Sequence, residues 1–335
     1  MKILYIPETI KITEKNFKNN LKSFFYDFYI FLKNFSFNRK VTKNTSGYIN
    51  AAIYSNAYVF ELPYKYCLIF SKILNLLFDG IFINWKFTNY RRDKEDIEKK
   101  LLKLSKKFKI KKIIVDVRDS STDVIKDNIL DNFDHVIKRE KNKQISNKKY
   151  FTTILPCRLI DCKISKNKEN IDWSVIGNSK PNLNPNYDIF FSGQKTSKLR
   201  IELTEFLNTK KYNFFGRTEN LKIPFDQYLA AIYNSSINLA LEGKGEFTFR
   251  HLEILASCSF MLCQNSINDL ELPLPIVDGK HFVTFESKED LIEKINFYLK
   301  NNNLRNEIAL NGRKVLEEHY SPKKHGEFLI SKIFS

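Results

Sequence analysis

The sequence predicts an α/β protein made of two lobes, each a parallel sheet covered by helices. Short apolar runs typical of buried strands alternate with segments of helical spacing along most of the chain. A polar stretch with prolines interrupts this alternation at about residues 161–186, and the same alternation then restarts. Two such units leave a cleft between them, and ligands of parallel sheets bind beyond the carboxyl ends of the strands.

The first unit covers residues 1–160. Its predicted strands are KILYIP, DGIFINW, KKIIVDVRD, DHVIKRE and YFTTIL, and its predicted helices are NFKNNLKSFFYDFYIFLKNF and KEDIEKKLLKLSKKF. In the second helix Ile97, Leu101, Leu104 and Phe108 share one face, as expected of a helix that covers a sheet. Residues 161–186 are predicted to be a linker, part of which packs through Trp173.

The second unit covers residues 187–318, and a closing helix is expected over 319–335. Its predicted strands are YDIFFSG, YNFFG, INLALEG, SFMLCQ and HFVTFE. Its predicted helices are SKLRIELTEFLNT, FDQYLAAIYNSS, FRHLEILAS, KEDLIEKINFYLKNN and NLRNEIALNGRKVLEEHY. This second series of strands and helices completes the expected two-lobed architecture.

The amino-acid composition limits the cellular compartments and the binding partners that we expect for this protein. The five cysteines form no C-x-x-C pair, which favours buried free thiols in a reducing, cytoplasmic compartment and gives no zinc pattern. The most apolar region is interrupted by Glu61, Lys65, Lys72 and Asp79, so we interpret it as buried elements rather than a membrane span. The opening MKILYIPE has no features of a secretory leader.

The net charge of +17 allows two interpretations. A basic surface attracts nucleic acid, anionic lipid or a phosphorylated substrate. Lysine, however, greatly outnumbers arginine, and the chain is rich in Lys, Asn, Ile and Phe, as AT-rich coding would produce. Because arginine is the better reader of bases and phosphates, we do not expect nucleic acid as a partner. Peripheral contact with an anionic membrane is the second choice after a purely compositional origin.

Two of the ten glycines, Gly243 and Gly245, stand together in LEGKGEFTFRHLE, between a predicted strand and a helix from about Phe249. Glycine supplies positive φ for tight turns and lets a ligand approach the backbone. The following helix N-terminus offers free N–H groups, for which phosphate is a suitable guest. Thr248 is a candidate N-cap residue, and its hydroxyl is also a candidate hydrogen-bond donor to a phosphate.

Arg250 occupies the first turn of that helix, where the dipole is already positive, so it is expected to meet an anion there. Glu253 follows one turn later, and a carboxylate at this place can accept hydrogen bonds from a ribose diol. The plain alternative is that the glycines only end a strand and that Arg250 and Glu253 form an ordinary surface pair.

The segment Tyr228–Leu262 resembles the donor-binding core of group 1 glycosyltransferases of the GT-B fold, in particular the spore-maturation-like branch. The residues that carry the resemblance are YLAAIYNSSINLAL, EGKGEFTF, RHLEILAS and SFMLC, supported by FFSGQKTSKLR, NFFGR and the C-terminal helices. It covers about Tyr187 to the C-terminus. It implies two Rossmann-like lobes with an interlobe cleft, and a nucleotide-diphosphate sugar as co-substrate. It also implies retention at the anomeric carbon.

The resemblance implies roles for named residues. Glu253 would bind the ribose, and Arg250 would face a phosphate. The predicted donor-binding residues are Gly193, Lys195, Lys198, Gly216, Arg217, Gly243, Gly245, Glu246, Thr248, Arg250 and Glu253. Arg200 is a further source of charge near Lys195 and Lys198, although most lysines of a basic chain are simply solvated. The family's second glutamate would fall at Gly245, with Glu246 one residue away, so the contact to the transferred sugar is left open.

The acceptor side is expected in the first lobe. VDVRDSS places Asp116, Arg118 and Asp119 at one strand end, and FDHVIKRE places His135, Arg139 and Glu140 near another. A histidine or carboxylate there could act as a base or orient the acceptor hydroxyl, although strand-end charges are commonly only paired or solvated. The predicted catalytic residues are Asp119, Glu140 and Arg250.

The leading hypothesis is therefore a cytoplasmic, metal-independent hexosyl- or related transferase acting on a glycan or lipid-linked acceptor. No D-x-D motif that could hold Mg²⁺ follows a predicted strand, so no metal or other cofactor is expected. Two alternatives stay open: a GT-B scaffold that binds nucleotide without turnover, and a basic protein that binds polyanions or a membrane surface.

Overall fold

The structure is a computed structural model that describes residues 1–6, 58–62, 64–85, 94–155, 157–161, 171–217 and 223–335. The helix predicted for NFKNNLKSFFYDFYIFLKNF lies outside the described residues, as do Cys162 and part of the predicted linker. The four described cysteines, Cys67, Cys157, Cys258 and Cys263, are buried free thiols.

The first half of the chain forms a six-stranded, fully parallel sheet. In chain order its elements are β1 (Lys2–Ile6), β2 (Tyr58–Glu61), α1 (Tyr64–Ile69), α2 (Ser71–Leu77), β3 (Gly80–Asn84), α3 (Lys94–Lys107), β4 (Lys111–Asp116), α4 (Asp127–Leu130), β5 (His135–Lys138), β6 (Lys141–Asn142), β7 (Tyr150–Thr152) and α5 (Arg158–Asp161). The strand order is β2-β1-β3-β4-β5-β7. Burial on both faces explains why strands such as GIFIN are continuous apolar runs.

The second half forms a five-stranded parallel sheet. Its elements are a 3₁₀ turn (Trp173–Val175), β8 (Tyr187–Ser192), α6 (Lys198–Asn208), β9 (Phe214–Arg217), α7 (Phe225–Tyr233), β10 (Ser235–Ala240), α8 (Phe249–Ala256), β11 (Met261–Gln264), a second 3₁₀ turn (Asn265–Asp269), β12 (Leu270–Glu271), β13 (Val283–Phe285), α9 (Lys288–Lys300), α10 (Asn302–His319) and α11 (Pro322–Phe334). The strand order is β13-β11-β10-β8-β9.

Each sheet buries both faces. In the first sheet Ile81 and Ile114 face a cluster with Leu74 of α2 and Leu101 of α3. The opposite face, which includes Phe82 and Ile137, belongs to a second cluster that also contains Leu329 and Ile333 of α11. The last helix of the chain therefore covers the sheet of the first lobe.

The same apolar cluster continues into the second lobe, where it includes Phe190 of β8, Ile232 of α7 and Leu252 of α8. The other face of the second sheet packs on α6, α9 and α10 through residues such as Leu203 and Ile295. Burying each sheet between helix layers is the α/β arrangement predicted from the sequence, and that prediction is confirmed.

Two short features tie the lobes together. Strand β6 pairs antiparallel with β12 from the other lobe, with Leu270 opposite Asn142 and Glu271 opposite Lys141. Near the chain's end, the Tyr320 hydroxyl donates to the carbonyl of Leu155 at 2.8 Å and accepts from the Cys157 amide at 2.9 Å. The segment after β5 and the end of the first lobe therefore both contact the second half of the chain.

The described part of the linker is held by Arg313 of α10, which is almost completely buried. Its guanidinium donates to the carbonyls of Trp173, Ile176 and Ala256, and it lies over the indole of Trp173 at 5.0 Å from the ring centre. The expectation that the linker packs through Trp173 is confirmed. Among the helices that the structure describes, none is long and apolar enough to cross a bilayer.

Candidate functional site

The site is built from two loops that leave neighbouring parallel strands at the same edge of the second sheet. Strands β8 and β10 are paired, with Ile189 opposite Ile237. After β8 the chain turns into α6, where the Ser197 hydroxyl caps the helix by accepting from the Arg200 amide at 3.3 Å. After β10 it runs through residues 241–248 into α8. Two helix N-termini therefore follow adjacent strands.

Thr248 stands at the N-cap of α8, as predicted, with extended backbone. Its amide donates to Nδ1 of His251 at 3.0 Å, an arrangement that ties the first turn to its cap. His251 is buried against Phe247, and burial lowers its pKa to about 3, so the ring is neutral at pH 7. The first turn of α8 therefore has one fixed cation, Arg250.

Arg200, in the first turn of α6, is buried and joins the two loops. Its Nη1 donates to the Thr196 hydroxyl at 2.8 Å and to the Gln194 carbonyl at 3.2 Å, while Nη2 donates to the Leu241 carbonyl at 2.8 Å. Burial, and next the charge of Arg250, lower the pKa of Arg200 to about 10. It is still a cation at pH 7, held close to a second cation.

Arg250 reaches from α8 to the end of β8, where Nη2 donates to the Ser192 carbonyl. Its guanidinium lies over the Phe191 ring at 4.7 Å from the centre, and Arg200 lies over the same ring at 5.8 Å. Within the described residues neither arginine has an ion pair, and the buried Nε atom of each has no hydrogen-bond partner. The charges of Glu242 and Glu253 act on Arg200 and Arg250 respectively, but neither carboxylate is ion-paired with them. Two converging guanidiniums without an ion-paired carboxylate form a site for an anion with several oxygens.

The glycines at this site make room for the arginines. A Cβ atom at Gly193 would lie 2.9 Å from Nη2 of Arg250, and one at Gly243 would lie 2.9 Å from Nη2 of Arg200. Neither these glycines nor Gly245 has positive φ, so the expectation of a left-handed turn is wrong. Glycine is needed at these positions because another group approaches the backbone closely, as the sequence also suggested. The approaching groups are guanidiniums of the protein rather than a ligand.

Glu253 lies one turn beyond Arg250 and is 8% exposed. Its Oε2 accepts from the Tyr228 hydroxyl at 2.9 Å. Burial raises the pKa of Glu253, against the opposing effects of Tyr228, Arg250 and Arg158. The alternative of an ordinary surface pair between Arg250 and Glu253 is wrong, because the carboxylate is buried and is bonded to a tyrosine.

The first lobe meets the loop after β10 through three of the sequence-predicted residues. Arg139 lies between Asp119 and Glu140 and is ion-paired with both. Oε2 of Glu140 accepts a hydrogen bond from the Phe247 amide at 2.9 Å. The Arg139–Glu140 ion pair is therefore bonded to the loop after β10 in the second lobe. A Cβ at Gly245 would overlap Arg139 and Glu140, which explains that glycine.

Glu140 is completely buried, and this burial raises its pKa to about 7 despite the opposing charge of Arg139. The nearby carboxylate of Glu246 adds to the increase. Glu246 itself accepts from the Ser121 hydroxyl at 2.8 Å, a second hydrogen bond between the lobes. The predicted residues Asp119, Arg139, Glu140, Gly245 and Glu246 thus form one network, which we call the interlobe network.

Other candidates lie elsewhere. Asp116 is ion-paired with Arg118 at 2.8 Å and with the buried Lys138 at 3.2 Å. Burial alone would raise its pKa, but the bonds and charges of these two cations lower it. His135 is at the amino end of β5, at the opposite edge from Arg139 and Glu140. Its expected place near the cleft is wrong, because the strand runs between it and Glu140.

The remaining donor candidates lie around the two arginines. Lys195 and Lys198 are exposed, and Lys198 is 3.4 Å from Glu202. Gly216 and Arg217 belong to β9, beside Phe191 and Ser192 of β8. Tyr228 was not predicted, because its position one helix before Glu253 gives no signal in the sequence, and Arg200 was predicted only together with the lysines. Arginine so close to a helix start is the signal that could have separated it.

The fold and the site define a class: two parallel sheets facing a cleft, with a cation-lined loop and helix pair in the second lobe, are the GT-B architecture. The sequence model of the family described as "Glycosyl transferase-like" matches residues 190–331, which include Arg200, Arg250 and Glu253. The resemblance to group 1 glycosyltransferases of the GT-B fold is therefore confirmed, and over residues 190–331 this chain is similar to the glycosyl transferase-like family. The spore-maturation-like branch stays a prediction.

A solved structure agrees on the fold. HepE from Anabaena in complex with UDP-glucose is 10% identical to this chain with a TM-score of 0.50, over 99% of this chain and 98% of HepE. An alpha-glucosyltransferase in complex with UDP-glucose and DNA containing an abasic site is 12% identical with a TM-score of 0.49, over 100% and 98% of the two chains. No curated protein matches the sequence.

Proposed function

We propose that this protein is a glycosyltransferase that takes a sugar from a nucleoside-diphosphate donor bound at Arg200, Arg250 and the start of α8. The observation that carries the proposal is the pair of guanidiniums without a carboxylate partner, held between two helix N-termini. The diphosphate of a nucleotide sugar supplies the missing negative charge. Glu253 and Tyr228 then lie one turn away, where we place the ribose.

The arginines also supply the chemistry that such a transfer needs. As the sugar–phosphate bond breaks, negative charge builds on the leaving diphosphate and positive charge on the anomeric carbon. Cations already fixed where the charge develops stabilise that state without reorganisation. We propose that the reaction needs no metal ion and retains the anomeric configuration, and that Asp119 and Glu140 lie on the acceptor side.

The proposed acceptor is a glycan or a lipid-linked sugar, and the proposed location is the cytoplasm, with peripheral contact to anionic membrane. The transferred group is proposed to be a hexose or a related sugar. We do not propose nucleic acid as the acceptor, because lysine rather than arginine makes the surface basic. DNA bound by the alpha-glucosyltransferase makes nucleic acid the competitor to include in the test.

A thermal-shift panel tests the donor site directly. UDP goes first, because HepE binds UDP-glucose, followed by GDP, ADP, dTDP and CMP. A ligand at 100 times its Kd stabilises the folded state by about 2.7 kcal/mol, which a melting curve resolves. We expect one diphosphate to raise the Tm of the wild type and not that of Arg250→Ala. The matched control is Lys211→Ala, which removes an exposed cation from the same lobe and should respond like the wild type.

Turnover is then measured as hydrolysis of the matching nucleotide sugar, in which water takes the sugar and the nucleoside diphosphate is released. A shift without release would favour the scaffold that binds nucleotide without turnover. Absence of any shift would contradict the donor site. Binding of oligonucleotide with a steep salt dependence would then favour the polyanion-binding alternative.

A further inference from the structure

A row of apolar side chains faces solvent on the first lobe, far along the chain from the candidate donor site. Ile69 is 68% exposed, Ile73 is 50% exposed and Leu76 is 86% exposed. Backbone hydrogen bonds from Phe70 to Tyr66 and from Leu74 to Phe70 make α1 and α2 one nearly continuous helical path. The spacing of four and three residues therefore places the three side chains on one stripe, which we call the apolar stripe.

The opposite side of this path is buried, so the stripe is not a misplaced core. Cys67, Ser71, Leu74 and Phe78 face the protein interior. Lys72 is exposed between the members of the stripe, and Leu68, Phe70 and Leu77 beside it are partly buried. A helix that buries one apolar face in the protein and keeps a second apolar stripe in water offers that stripe to a partner.

Exposed lysines lie at the end of α3, which packs beside α2. The side chain of Asn75 donates to the Lys107 carbonyl at 2.9 Å and accepts from the Lys109 amide at 2.8 Å, which fixes the end of α3 against α2. Lys103, Lys106, Lys107 and Lys109 are all exposed there. No acidic residue occurs in residues 64–78 or 99–115, and Asp79 at the edge is bonded to the Lys2 amide at 2.7 Å.

We propose that the apolar stripe and these lysines dock the first lobe onto an anionic lipid bilayer. Apolar side chains enter the boundary between headgroups and acyl chains, and the lysines stay at the level of the acidic headgroups. A second protein copy fits less well, because two such surfaces would bring the same lysines together without carboxylates between them. The inference rests on the peripheral contact within the proposed function and gives that contact a location.

Vesicle sedimentation of the full chain tests the docking without any nucleotide, so its failure is distinguishable from failure of the donor site. The probes are vesicles of phosphatidylcholine alone and vesicles that also contain phosphatidylglycerol. We expect binding only to the anionic vesicles, and weaker binding at high salt, because screening shortens the reach of the lysines.

Two variants separate the parts of the surface. The combined substitution Ile69→Ser, Ile73→Ser and Leu76→Ser should weaken partitioning at least about tenfold, because it removes the side chains that enter the bilayer. The combined substitution Lys106→Gln, Lys107→Gln and Lys109→Gln should weaken it on the order of 100-fold. All six positions are exposed, so both variants should keep the wild-type Tm.

Matched controls lie outside the first lobe, in the linker and on the second lobe. Leu183→Ser and Val277→Ser remove exposed apolar groups there, and Lys180→Gln, Lys211→Gln and Lys300→Gln remove the same amount of charge. Controls that retain binding while the two test variants lose it would support the proposal. A wild type that does not sediment with anionic vesicles, or test variants that bind like the controls, would overturn it. A dimer that the stripe variant dissociates would also overturn it and make the occupant a second copy.

Discussion

The carboxyl ends of the two sheets carry charge in different ways. At the first sheet the charges are matched within the protein: Asp116 binds Arg118 and Lys138, and Arg139 lies between two carboxylates. At the second sheet Arg200 and Arg250 bind carbonyls, a hydroxyl and the face of an aromatic ring, and neither has an ion pair in the part of the chain described.

The difference separates charges that are paired within the fold from charges that, in the proposed donor site, bind a ligand. In a buried ion pair each charge is neutralised by its partner. Removing one partner leaves the other charge buried and unpaired, and this lowers the stability of the fold. Two neighbouring cations are kept at the cost of mutual repulsion and lost hydration, which the lowered pKa of Arg200 reflects. An incoming diphosphate would offset that cost, so removal of one cation should be felt mainly in binding and rate.

The largest expected effect is on the paired side. Asp116→Asn leaves the almost fully buried Lys138 without its carboxylate, and it should lower the free energy of unfolding by about 3–5 kcal/mol. Urea unfolding of both proteins measures this. Asp119→Asn is the control, because that carboxylate is 38% exposed in its ion pair and should cost less than about 1 kcal/mol. Equal losses would remove the contrast between the two clusters.

On the unpaired side, Arg250→Ala should lower the transfer rate about 10²–10³-fold, since it removes charge that faces the leaving diphosphate. Stability should change by less than about 1 kcal/mol, because the substitution also relieves repulsion with Arg200. Single-turnover rates with the donor found in the thermal-shift panel give the measurement. Arg250→Lys keeps the charge but not the planar fork, so an intermediate rate is expected. If Arg250→Ala were strongly destabilised but transferred sugar at the normal rate, Arg250 would be a structural residue and not a donor-binding residue.

The interlobe network predicts a pH dependence with a definite sign. The pKa of Glu140 is about 7 in the folded protein and about 4.5 when exposed, so the folded state holds the proton more tightly. The stability this gives is complete below about pH 4.5 and is lost as pH rises through about 7. Relative to Glu140→Gln, the wild type should lose up to about 3 kcal/mol across this window. A constant difference between the two unfolding curves would count against the raised pKa.

The smallest effect is expected at Lys198. Its side chain is 90% exposed and lies beside Glu202, so Lys198→Ala should change stability by less than about 0.5 kcal/mol and the donor KM by no more than about twofold. Steady-state kinetics of the variant beside Arg200→Ala make the comparison. A large rise in KM for Lys198→Ala would place this lysine with the two arginines as a donor ligand.

Much of the fold follows from local pattern. Strands such as INLALEG and KKIIVDVRD are continuous apolar runs because parallel strands are buried on both faces, and that signal needs no partner. The pair β6–β12 has two residues in each strand, which is too short for any periodicity. Its existence depends on how the lobes meet.

The site was only half accessible from sequence for the same reason. The loop after β10, its N-cap and Arg250 are local features, and the sequence indicates them. The use of the glycines is not local: Gly243 makes room for Arg200, and Gly245 makes room for Arg139 and Glu140. Glu140 meets the Phe247 amide across 107 positions, a distance over which spacing carries no information.

The last helix has a consequence for how the chain reaches this fold. Helix α11 covers one face of the first sheet, with Phe334 against Gly80 and His325 accepting from the Ile154 amide 171 positions earlier. During synthesis the first lobe is made first and begins to fold alone. One apolar face of the first sheet then stays uncovered until the second lobe has been synthesised and α11 packs against it. A nascent chain halted after the first lobe would therefore expose this apolar surface, and we expect it to aggregate or to bind chaperones.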